Sequence, residues 1–420
     1  MADRRYPSWL RVLGPGLVTG AADDDPSGIA TYSQAGARFG YAQLWTITLC
    51  LPLMIGVQEA TARIGSVTGH GLAHVTKEYF SKRVLYSIVL LVLVANIINI
   101  GADIAAVGAS LRLMMTLPVA LLTTLFTIGL VALMTLVRYH RYVRVLKLLA
   151  LALLAYVATA LIVGEPWGTI LRSTFLPHVE WSSAYWYVIV GILGTTISPY
   201  MFFWQASEEV EELEYADYAG EARRSLKTIR TDNAVGMVIS QIGSWFMMVT
   251  TATVLNAHGI TNIGTAAQAA QALQPLVRTF PHSGEIAKII FAVGVIGMGL
   301  LGIPVLAGSA SYAVTELLGW REGYQNRVRD ARGFYSIIVL ATAIGLGLTL
   351  LGVSPIKALI FAAVVNGVVA VPLVWLIHHI GKRTEIMGPY TSGRLSRTLL
   401  LITFAVMAAC ALAMFVSLVG

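Results

Sequence analysis

The chain has 420 residues, of which 56% are hydrophobic and only 12% charged, at a mean hydropathy of +0.72. Soluble domains carry roughly 25% charged residues, so this composition excludes one and calls for a polytopic all-α membrane protein. The formal net charge of +7 would suit a nucleic-acid partner, but the placement of the basic residues assigns it to membrane topology instead.

Apolar runs of about 20 residues, the length that crosses a bilayer as a helix, recur along the chain. In order they fall at 13–36, 43–64, 84–109, 118–137, 144–164, 183–205, 234–256, 286–314, 335–353, 355–380 and 397–419. The start, MADRRYPSWLRVLGPG, has no apolar core followed by a small-residue cleavage site, so no removable signal peptide is expected. Cys50 and Cys410 lie inside apolar runs, which argues against a disulfide framework or a CxxC metal site.

Alternate connections differ in charge. The segments before the first span and after every even-numbered one hold all Lys and Arg residues except Arg38, Arg112, Arg172, Arg278, Lys288 and Lys357. By the positive-inside rule the N-terminus is cytoplasmic and the C-terminus outside, as in a multi-pass protein of the cell (inner) membrane. On the outer face, segments 165–182 and 257–285 are longest, and Trp167, Trp181 and Trp186 suit an interfacial aromatic belt. Segment 206–233 is polar and helix-favouring and reads as an amphipathic cytoplasmic connector.

Two spans are interrupted. The first contains GLVTGAADDDPSGIATYSQAG, with Asp23, Asp24 and Asp25 directly before Pro26; the sixth contains IVGILGTTISPYMFFWQAS, with Ser198–Pro199 at its centre. Proline costs a helix interior about 3 kcal/mol, and charge inside a bilayer is costly as well. The breaks lie five spans apart, at corresponding positions of two five-helix halves, 13–164 and 183–380. Discontinuous helices at matching positions mark transporters whose site lies near the membrane midplane, where freed backbone carbonyls need a partner. A cation supplies one.

These stretches resemble the Nramp divalent-metal transporters. GPGLVTGAADDDPSGIATYSQAGARFGYAQLW is similar to that family's first-helix signature, a D-P-G-N motif followed by A-T and Q-A-G-A. GTTISPYMFFWQAS is similar to its sixth-helix segment A-T-V-M-P-H, LAGSASYAVTELLG to its eighth helix and EIMGPYTSGR to the M-G stretch after its tenth. The resemblance implies a LeuT-type fold: a 5 + 5 inverted repeat, helices one and six broken, and an eleventh helix, within a single transport domain over 1–420.

The resemblance also implies site residues. The family's metal-binding aspartate falls on Asp25, and its backbone-carbonyl ligands fall on Ala22 and Thr195. Its asparagine ligand falls on Gly28 and its methionine on Ser198, so an amide and a thioether are replaced. Its two sixth-helix histidines fall on Tyr200 and Gln205, and its helix-three acidic pair on Asp103 and Ala106. Thioether sulfur favours transition metals; a set of carboxylate, carbonyl, hydroxyl and water oxygens suits Mg²⁺, Ca²⁺ or Mn²⁺. Mg²⁺ keeps several waters, and Gly28 in place of asparagine makes room for them. The pattern is similar to the Nramp-related magnesium transporters. Loss of both histidines and one acid argues against strong proton coupling.

Other polar residues have weaker claims. Asp24 is expected as a second-layer or vestibule group, since successive helical residues point about 100° apart. Asp103, with Asn96 and Asn99, has either an ion-path or a packing role, as has Asn366 on the tenth span. Glu208 and Glu209 read as a solvated helix end, with an ion exit path as the alternative. Glu59 and Arg63 have the i,i+4 spacing of an ion pair. His70 and His74 read as surface histidines, and the stripe GVIGMGLLGIP as a close helix contact.

No nucleophile–base pair or nucleotide loop is found, so neither an enzyme nor an ATP-driven pump is expected, nor any cofactor besides the transported ion. The reading is a divalent-cation transporter of the bilayer, for Mg²⁺ with Mn²⁺, without nucleic acid or an obligatory protein partner. A proton-coupled Mn²⁺/Fe²⁺ symporter and a Na⁺-coupled organic-solute symporter remain as alternatives.

Overall fold

The structure, a computed structural model, describes residues 14–137, 154–219 and 225–419, and the regular elements within these are all helices. The first span is two half-helices, α1 (Pro15–Asp23) and α2 (Pro26–Phe39). There follow α3 (Trp45–Thr68), α4 (Leu72–Tyr79), α5 (Lys82–Met114), α6 (Val119–Leu136), α7 (Leu154–Val163) and α8 (Trp167–Phe175). The sixth span is again divided, into α9 (Ser183–Thr196) and α10 (Pro199–Ala219). The chain continues through α11 (Leu226–Val254), α12 (Ala266–Ala270), α13 (Ser283–Leu318), α14 (Arg332–Thr349), α15 (Pro355–Lys382), α16 (Thr384–Met387) and α17 (Arg394–Val419).

Nine helices among the described residues are long and apolar enough to cross a membrane, with the sixth span counted across its break as Ser183–Glu214. The first span falls short of that length because its break divides it. The fifth appears as the ten residues of α7; its earlier part, with Arg138, Arg141, Arg144 and Lys147, lies outside the described residues. So do Arg4, Arg5, Arg11, Arg223 and Arg224 of the basic segments.

Two expectations need correction. Segment 206–233 is not a separate connector: α10 runs on to Ala219 and α11 already begins at Leu226. No Gly or Pro stands between residues 200 and 219 to stop the helix. Glu208 and Glu209 are consequently buried rather than solvated, because α10 packs against α3 and α13. The segments 165–182 and 257–285 are partly helical, holding α8 and α12.

Packing is reciprocal between the halves. The first broken helix lies on α11, while α10 of the second lies on α3, as an inverted repeat requires. Small residues allow the close approach. A Cβ on Gly20 would stand 2.4 Å from the Gly236 carbonyl group, and one on Gly194 2.0 Å from the Ala363 carbonyl oxygen. The 33-residue α5 runs against α13, α14 and α15. Near the ends of the bundle Arg63 pairs with Glu59 as the spacing predicts, and Arg230 joins them at 3.3 Å. The His70 and His74 rings stack at 4.0 Å.

Candidate metal centre

The first break follows from local chemistry. Pro26 has no N–H to give and its ring clashes with the preceding turn, and the residue before a proline is driven to extended backbone. Asp25 accordingly has φ −58° and ψ 172° and becomes the N-cap of α2, with Pro26 at the first helical position. Its Oδ1 accepts the Gly28 N–H at 2.9 Å and the Ser27 hydroxyl at 2.5 Å.

Two distant helices complete the surroundings of Asp25. Asn99 Nδ2, on α5, donates to Oδ2 at 3.2 Å, and the Tyr200 hydroxyl, on α10, lies 3.2 Å from the same oxygen. That hydroxyl is also 3.0 Å from the Ala22 carbonyl oxygen, one of the carbonyls freed by the break. A carboxylate has about four lone-pair positions, and all four of these donors converge on Asp25. The side chain is fully buried. A cation reaching it must displace Asn99 or Tyr200.

The three aspartates diverge. Asp23 Oδ2 accepts the Ser240 hydroxyl at 2.5 Å and Asp24 Oδ1 the Ser244 hydroxyl at 2.9 Å. Both serines lie on α11, one turn apart. Only Asp25 faces α5 and α10, and among the described residues no group of three His, Cys, Asp or Glu side chains could hold a metal ion. A cation at Asp25 would therefore be held largely by carbonyl, amide, hydroxyl and water oxygens.

The second break closes on itself. The Ser198 hydroxyl donates back to the Gly194 and Thr195 carbonyl oxygens, at 2.5 and 2.9 Å, so it and the Thr195 carbonyl satisfy one another. The Thr195 hydroxyl sits 3.3 Å from Ser27 Oγ, and Tyr32 meets Thr196 at 2.7 Å, so the two breaks face each other directly. Gly28 lies at this contact: a Cβ there would meet the Asp23 carbonyl oxygen at 3.1 Å and Thr195 Oγ1 at 3.3 Å.

Of the remaining candidates, Asp103 is fully buried on α5, and neither of its oxygens has a hydrogen-bond partner among the described residues. The Asn366 side chain on α15 is likewise buried without a partner. Glu209 accepts from Gln205 at 3.0 Å and from Ser66 at 3.4 Å, and Gln205 in turn accepts from Thr19 of α1 at 2.5 Å. Asp232 of α11 takes the Gly14, Gly16 and Leu17 N–H groups at 2.9, 2.9 and 3.2 Å, capping the start of α1. The bridge made by Tyr200 and the cap made by Asp232 were invisible in the sequence, because both span more than 170 residues. Only the Gly-Pro-Gly start of α1, rich in amides without acceptors, hinted at the cap.

Comparison with known proteins bears on the family and the fold. Residues 16–417 match the model of the Nramp family, Natural resistance-associated macrophage protein-like. A divalent metal cation transporter MntH of Verminephrobacter eiseniae is 26% identical over 417 residues, 97% of this chain and 88% of the relative. The MntH of Mesorhizobium japonicum is 28% identical over 301 residues, 70% of this chain but only 65% of the relative's length. Among solved structures, a single-residue variant of the Eremococcus coleocola manganese transporter superposes with a TM-score of 0.76 at 16% identity, over 99% of this chain and 88% of that one. MhsT bound to L-phenylalanine gives 0.65 at 14% identity, over 99% and 100%. These two establish a shared fold. With its family model matched almost from end to end, the chain belongs to the Nramp family of divalent-metal transporters.

Proposed function

We propose that this chain moves divalent cations across the membrane by alternating access, with Mg²⁺ as preferred ion and Mn²⁺ also accepted, and without obligatory proton coupling. The observation that carries the ion preference is Ser198. Where the family places a thioether, a hydroxyl turns back onto its own helix, leaving Asp25 and Ala22 to offer hard oxygens only. Such a set favours Mg²⁺ or Mn²⁺ over softer metals. Gly28 adds no side chain of its own to the site, in keeping with an ion that retains water.

Tyr200 and Gln205 stand at the positions of the family's histidines and have no titration near neutral pH to relay protons. The inside-negative potential supplies the drive instead: about 4.6 kcal/mol per 100 mV for a divalent ion, twice the single-charge value. The proposed orientation has the basic connections and the N-terminus cytoplasmic in a cell membrane. The relatives named as divalent metal or manganese transporters favour Mn²⁺ as the ion, which fits a second reading, a proton-coupled Mn²⁺/Fe²⁺ symporter. Uptake into proteoliposomes containing a pH indicator separates the two. Mg²⁺ entry without acidification supports the first; exclusion of Mg²⁺ with Mn²⁺ entering alongside protons replaces it with the second.

A further inference from the structure

Asp25 is saturated with donors, yet Asp103, a further buried carboxylate near it, has none among the described residues. Asn96, Asn99 and Asp103 lie on one face of α5, at i, i+3 and i+7, and all three are fully buried. Asn96 Nδ2 donates to the Leu306 carbonyl at 3.1 Å and Asn99 Nδ2 to Asp25 at 3.2 Å, which turns the amide nitrogens of both to partners. What remains is a row of acceptors without donors: Asn96 Oδ1, Asn99 Oδ1 and both oxygens of Asp103.

Asp103 lies near Asp25. Gly302 of α13 separates them, and the point where a Gly302 side chain would begin is 3.0 Å from Asp25 Cβ and 3.9 Å from Asp103 Oδ2. Among the described residues no ion pair involves either aspartate. Burying a carboxylate with neither donor nor countercharge is strongly unfavourable. Two flanking one glycine present a combined demand that a divalent cation neutralises and a monovalent cation leaves half met.

We propose that Asp103 is the second carboxylate of the cation site and sets its preference for divalent over monovalent ions. This rests on the reading of Asp25 as the ion's ligand. It gives the retained helix-three acid a role that does not depend on protons, and it assigns Gly302 the task of keeping the two carboxylates close without a side chain between them.

The test is isothermal titration of the full-length solubilised chain with Mg²⁺ and, separately, Mn²⁺, each with and without competing Na⁺, for the parent, Asp103→Asn, Asp103→Glu and Asp25→Ala. Asp103→Asn keeps the shape and removes the charge, so the divalent-to-Na⁺ preference falls by roughly tenfold or more for both metals. Asp103→Glu restores the charge and most of the preference, which a merely structural role would not do. An unchanged preference in Asp103→Asn, or equal losses for divalent and monovalent ions that Asp103→Glu fails to rescue, overturns the proposal. Parental binding in Asp25→Ala overturns the underlying site as well. Loss in Asp25→Ala with an unaltered Asp103→Asn removes only the role of Asp103.

Discussion

The two helix breaks look alike in sequence and are held open in different ways. At the second, the Ser198 hydroxyl returns to carbonyls three and four residues earlier, and the chain satisfies itself. At the first, Ser27 and Gly28 hold Asp25 Oδ1 locally, but the other groups are met from elsewhere: Ala22 and Asp25 Oδ2 by Tyr200, Asp25 Oδ2 by Asn99, Asp23 and Asp24 by the α11 serines, and the start of α1 by Asp232. A break closed locally is a rigid element. One closed by three other helices responds to what those helices do, and an ion that displaces Tyr200 changes the tie between α2 and α10. We therefore expect the first break to be the moving part and the second its counterface.

Substitutions can break or sharpen that contrast. The largest effect is expected at Gly20, where α1 touches the Gly236 backbone. Gly20→Leu cannot be accommodated against main chain and should cost about 3 kcal/mol or more, seen as a large fall in the thermal unfolding midpoint and loss of uptake. Tyr200→Phe comes next. It leaves the buried Ala22 carbonyl unmet in the ion-free site and Asp25 Oδ2 with Asn99 alone, a penalty of about 1–3 kcal/mol that a bound cation relieves. Mg²⁺ or Mn²⁺ binding by titration should tighten about tenfold while turnover slows; weaker binding would mean that the hydroxyl is a ligand rather than a placeholder.

Smaller effects follow from the ends of the ties. Asp232→Asn keeps an acceptor but loses the charge facing three α1 amides and should cost about 1 kcal/mol, read by thermal unfolding in low salt. Ser198→Ala removes only a local back-bond and should cost under about 1 kcal/mol with cation binding unchanged. A larger loss of binding in Ser198→Ala than in Tyr200→Phe would reverse the assignment of moving and fixed breaks.

Much of this was legible beforehand. Apolar run length located the nine long spans found among the described residues, and proline marked both breaks, because its missing N–H acts locally whatever the surroundings. What sequence left unread depends on which helix faces which. The direction taken by Asp23 and Asp24, the bridging role of Tyr200 and the bareness of Asp103 are properties of packing across α5, α10, α11 and α13. Glu208 and Glu209 were misread for the same reason: a charged helix end reads as solvated until the helices covering it are in place.

The most direct measurement is Mg²⁺ and Mn²⁺ uptake into proteoliposomes under an inside-negative potential, for the parent chain and Asp25→Ala side by side. Asp25 is the one acid of the three that faces both α5 and α10, so its loss should abolish both fluxes while the helices remain folded by circular dichroism. Undiminished Mg²⁺ entry through Asp25→Ala would contradict the placement of the ion at the first break.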